Sequence, residues 1–91
     1  MELTELRREI DGIDRELTAL LERRMDIAAD IAAYKRENGL PVLDPPREGE
    51  KLASVAAMCR PQTAELISGV FGAVMAASRA YQTALLEAEN G

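Results

Sequence analysis

The chain has no histidine and a single cysteine, Cys59. No disulfide framework can staple it, and no cluster of cysteines and histidines can hold a metal. Carboxylates alone could carry magnesium or calcium, but no aspartate run has the spacing of a binding loop. Aromatic side chains are scarce: Phe71, Tyr34 and Tyr81 are the whole supply, too few for a base-stacking surface. Long apolar runs are also missing. Nothing approaches the roughly 20 residues that cross a bilayer, and the N-terminus opens acidic without a signal core. The formal net charge of −5 opposes nonspecific nucleic-acid binding, which needs a basic surface to displace counterions. A local basic pocket stays compatible with that balance. These absences lead to the expectation of a cytoplasmic protein with no cofactor, no metal, no nucleic-acid partner and no membrane anchor.

What the chain does have is helical periodicity over 91 residues, a length that fits one domain, residues 1–91. A monomer of this size buries only about 60–65% of its unfolded surface, so a partner chain is the natural source of further burial. From Thr4 to Glu37 there is no proline, and Gly12 is the only glycine. Leu3, Leu6, Ile10, Ile13, Leu17, Leu20, Ile27, Ile31 and Tyr34 recur at mostly three- and four-residue steps, a helix period. Such a helix is roughly 50 Å long, far longer than a globule of this size is wide. Its stripe calls for a second copy of the chain. Asn38-Gly39 is a stop signal, with Gly39 suited to a left-handed cap. After the connector Leu40–Leu43, Asp44-Pro45-Pro46 starts a short helix: aspartate caps the free amides and proline suits the first helical position. This helix turns Leu52, Val55 and Ala56 inward and ends near Cys59-Arg60. A third helix, about Gln62 to Glu87, carries Leu66, Ile67, Val70, Phe71, Val74, Met75, Tyr81 and Leu85. Gly69 and Gly72 within it each cost roughly 1 kcal/mol of helix propensity and read as points of close approach to another helix. Asn90-Gly91 reads as a frayed end. The fold expected is all-α, three helices per chain (long, short, long), in an intertwined homodimer.

Polar residues interrupt the apolar stripes. Arg24 takes the seam position after Leu20, and Lys35 follows eleven residues later. Eleven helical steps return to within roughly 20° of the same face, about 16 Å further on. Ser78 and Gln82 sit beside the stripe of the third helix; both donate hydrogen bonds and neither is charged. Buried cations are costly without partners, so this set must face internal carboxylates, a wet cavity or an anionic ligand. Arg24 alone fits a register-setting cation as well as a ligand-binding one. Arg7 lies seventeen residues before Arg24, turned roughly 100° away and about 25 Å distant. It either reaches the pocket of a partner chain or is a solvated surface residue. Arg47 and Glu48 occupy the first turn of the short helix, where glutamate suits the helix dipole and arginine does not. Glu48 can accept a hydrogen bond from a hydroxyl, or be an ordinary first-turn carboxylate.

These residues carry a family resemblance. The opening Leu6-Arg7-Arg8-Glu9-Ile10-Asp11 with Ile13-Asp14, then Leu20-Leu21-Glu22-Arg23-Arg24, Ile31-Ala32-Ala33-Tyr34-Lys35, Pro41-Val42, Asp44-Pro45-Pro46-Arg47-Glu48, and finally Ser78 and Gln82 resemble the small bacterial, all-helical (AroQ-type) chorismate mutases over nearly the whole chain. The resemblance implies three-helix protomers interlocked as a homodimer with two equivalent pockets, and rearrangement of the dianion chorismate to prephenate. Carried over by position, Arg24 and the other chain's Arg7 hold the two substrate carboxylates. Lys35 and Gln82 flank the ether oxygen, Glu48 and the backbone near Asp44 hold the ring hydroxyl, and Arg47 and Ser78 complete the wall. With no attached domain in the sequence, the function is expected to be carried alone. The reaction needs no nucleophile, and none is organised: Cys59 has no histidine partner and Ser78 no nearby base. Two alternatives stand beside this reading, a structural or regulatory helical dimer without chemistry and the related isochorismate-pyruvate lyases. The set Asp44, Arg47 and Glu48 resembles the mutases.

Overall fold

In the computed structural model, which describes residues 1–90, the chain folds into three helices: α1 (Leu3–Glu37), α2 (Pro45–Met58) and α3 (Ala64–Asn90). Local chemistry sets the boundaries. α1 ends at Asn38, and Gly39 follows with a φ of 65°, a conformation glycine adopts without a Cβ penalty. The Gly39 amide donates to the Arg36 carbonyl (3.3 Å) and the Leu40 amide to the Lys35 carbonyl (2.8 Å), the paired bonds of a Schellman cap. Asp44 caps α2 by accepting from the Arg47 amide at 3.2 Å. Pro45 and Pro46 fill the first turn, where no intrahelical N–H is required. α3 starts after a turn in which the Ala64 amide donates to the Arg60 carbonyl at 3.0 Å. It continues through Asn90, three residues beyond the expected Glu87. Gly91 lies outside the described residues.

α3 packs against both α1 and α2, while α1 and α2 do not pack on each other. The result is long and thin, 53 × 26 × 14 Å, with a radius of gyration of 16.3 Å; a compact chain of this length has about 12 Å. The core is small: Ala28, Ala32, Val55 and Met75 are the buried apolar residues. α1 therefore meets α3 on its alanine side, and its large apolar seam is left open. Leu3, Leu6, Ile10, Ile13, Leu17 and Leu20 are all exposed, and so are Ile27, Ile31 and Tyr34. On α3, Leu66, Ile67 and Val70 are exposed as well. Gly69 and Gly72 do not meet another helix within the chain: a Cβ at either would face open space. The close approach expected there is thus not made inside one protomer, because α2 and α1 pack on other faces of α3. Among the described residues, no helix is long and apolar enough to cross a membrane.

Candidate active site

The second half of α1, the start of α2 and the second half of α3 enclose an open cleft of about 860 Å³. Seven of the eight residues singled out from the sequence line it: Arg24 and Lys35 from α1, Asp44, Arg47 and Glu48 at the start of α2, and Ser78 and Gln82 from α3. Arg7 does not. It is exposed on the free first half of α1, away from the residues of this cleft, as its angular offset from Arg24 requires.

The cleft carries charge opposite to that of the chain. Arg23, Arg24, Lys35, Arg47, Lys51 and Arg79 face three carboxylates, Asp26, Asp44 and Glu48. The lining thus has a formal charge of +3 in a chain of −5. Low-dielectric walls around one sign of charge focus the field and draw in counter-ions, here anions. Apolar contacts from Leu20, Ile27, Ile31 and Met75 complete the wall, so the site suits an anion with a hydrocarbon body.

Individual side chains are held in distinct ways. Lys35 is half-buried, and its Nζ donates to the Val42 carbonyl at 2.7 Å. One of three ammonium donors is used there, tying the lysine to the connector and leaving two for a ligand. The only ion pairs among the described residues are Arg36–Glu89 and Arg79–Glu48; neither contains Arg24 or Lys35. A purely structural role predicts internal carboxylate partners for those two cations.

Gln82 is 6% exposed, the one buried polar side chain among the described residues. Its Nε2 donates to Ser78 Oγ at 3.1 Å, and its Oε1 is buried without a partner. A buried amide oxygen left unpaired is costly. Turning the amide over gives Oε1 the Ser78 hydroxyl as donor and presents Nε2 where the orphan oxygen now lies. Either orientation leaves one end of the amide waiting for a partner.

Four charged lining residues escaped the sequence reading: Arg23, Asp26, Lys51 and Arg79. For Lys51 a signal existed, since it stands three and four residues after Glu48 and Arg47 and shares their helix face. Arg79 had none. Its partner Glu48 is 31 residues away, and only the docking of α2 on α3 brings them together.

This arrangement has known counterparts. Residues 6–83 match the family described as chorismate mutase type II. The chorismate mutase of Methanocaldococcus jannaschii is 30% identical over 87 residues, 93% of this chain and 88% of that protein. The T-protein of Enterobacter agglomerans is 43% identical over 53 residues, which are 58% of this chain but only 14% of the T-protein's length. Among solved structures, the chorismate mutase of Helicobacter pylori in complex with prephenate superimposes with a TM-score of 0.84 at 36% identity, covering 93% of each chain. On the extent of these matches and the shared three-helix architecture, the chain belongs to the chorismate mutase type II family.

Proposed function

We propose that this chain rearranges chorismate to prephenate, as a homodimer in the cytoplasm, with each pocket built from both copies. The observation that carries the reading is the convergence of Arg24, Lys35, Arg47, Ser78 and Gln82 on one cationic cleft, although they come from three helices. The reaction is unimolecular: one carbon–oxygen bond breaks as one carbon–carbon bond forms. It calls for a folded dianion and for stabilisation of the charge that grows on the ether oxygen. Arginine forks suit the first task, since a planar guanidinium grips a carboxylate at two points and orientation removes much of the barrier. Arg24 takes one substrate carboxylate. Arg7, distant from its own cleft, takes the other in the second copy. Lys35 and the Gln82 amide nitrogen donate to the ether oxygen, a preorganised electrostatic contribution. Glu48 and the backbone at Asp44 receive the ring hydroxyl, while Arg47 and Ser78 close the wall.

The dimer is supported by the surface left open. One chain exposes 7000 Å², whereas a compact monomer of this mass exposes about 5200 Å². The excess is on the order of 1,800 Å² per chain, and two such surfaces together are of the size that obligate dimers bury. The test is direct: chorismate is added to the purified chain, and its loss is followed with identification of the product. Prephenate is expected. Pyruvate released from isochorismate, without prephenate from chorismate, would move the activity to the lyases, and no turnover of either would leave a helical dimer without chemistry.

A further inference from the structure

Glu48 and Arg79 are the only ion pair inside the cleft among the described residues, and the arginine has no assigned role toward the substrate so far. Arg79 directly follows Ser78 on α3 and lies three residues before Gln82. Its Nη1 donates to Glu48 Oε1 across the α2–α3 contact. Both side chains are partly shielded, with 34% of the Arg79 side chain and 24% of the Glu48 side chain exposed. Glu48 sits in the first turn of α2, so the positive end of that helix already favours its charge. What the helix cannot do is choose a rotamer, because glutamate has three rotatable bonds and several staggered states. The arginine supplies that choice by occupying one carboxylate oxygen, Oε1, which leaves Oε2 as the acceptor for a ligand.

Resting on the mutase reading, we propose that Arg79 is a positioning residue, which holds Glu48 so that its second oxygen accepts the ring hydroxyl of the substrate. The arginine acts through the carboxylate and does not grip a substrate carboxylate itself. Removing it frees the Glu48 side chain to leave the cleft or to swing toward Arg47 and Lys51, which line the same wall. The ordering of Glu48 must then be supplied at the moment of binding.

The experiment is a double-mutant cycle on the whole chain, with Arg79→Gln, Glu48→Ala and the pair combined. Loss of a charge-assisted hydrogen bond corresponds to about tenfold or somewhat more. Arg79→Gln is therefore expected to lower kcat/KM about tenfold, mostly through KM. In the Glu48→Ala background the same substitution is expected to cost less than about twofold, because the group it acts through is gone. Arg79→Lys, which keeps a cation that can reach the carboxylate, is expected to recover most of the loss. Unchanged helical circular dichroism of each variant separates these effects from failure to fold, and a cycle run with Arg79→Met replaces any variant that does not fold. Equal penalties in the two backgrounds, or a loss confined to kcat, would overturn the positioning role. An unsubstituted chain that does not turn chorismate over would overturn the mutase reading, and the positioning role with it; the two failures are thereby distinct.

Discussion

Among the described residues Gln82 is the one buried polar side chain, and it is neutral. A glutamine donates at any pH, whereas a carboxyl donates only while it holds its proton. The chain has no histidine, the side chain that ordinarily changes charge between about pH 5 and 8. The rate is expected to stay flat over that range. Gln82→Glu should convert this into a rate that falls as pH rises and the introduced carboxyl loses its proton. A flat profile for that variant, at the unsubstituted rate, would remove Gln82 from the ether-oxygen role. Several polar members of the cleft were legible residue by residue, because Arg24 and Lys35 interrupt the apolar seam of α1 and Ser78 and Gln82 sit beside that of α3. What could not be read was pairing. The Arg79–Glu48 contact joins residues 31 apart, and the orphan oxygen of Gln82 depends on a packing geometry that no local pattern encodes.

At the scale of elements, the helices and their ends were written locally. The Asn38-Gly39 stop appears as a Schellman cap, and the Asp44-Pro45-Pro46 start as a capped first turn. Gly39→Ala should destabilise the fold by about 1 kcal/mol, the cost of placing a Cβ at a left-handed position, read as a lower midpoint of denaturant unfolding. No change would mean that the cap contributes nothing. The cap also fixes where the connector leaves α1, and the connector supplies the Val42 carbonyl that holds Lys35. The faces of the helices were harder to read. Both Ile27 and Ala28 fit an apolar stripe, yet Ala28 and Ala32 are buried against α3 while Ile27 and Ile31 stay exposed. Small side chains let α3 approach closely on one side, while the large Ile27 and Ile31 stay exposed along the cleft. Periodicity locates a stripe but not which of its edges meets which neighbour.

The whole molecule is unfinished as a single chain. Its radius of gyration of 16.3 Å, the four buried apolar residues among those described and the exposed seam describe a thin core. The same incompleteness extends to the site, where seven expected residues meet and Arg7 does not. In the proposed dimer a second copy would cover the seam and deliver the missing arginine. The measurement that bears most directly on this is complementation between Arg7→Ala and Arg24→Ala chains, unfolded together and re-formed as verified heterodimers. Each variant alone should be nearly inactive. A heterodimer has one pocket with both arginines intact and one with neither, so about half the unsubstituted rate per dimer should return. Heterodimers as inactive as their parents would contradict a pocket shared between two copies.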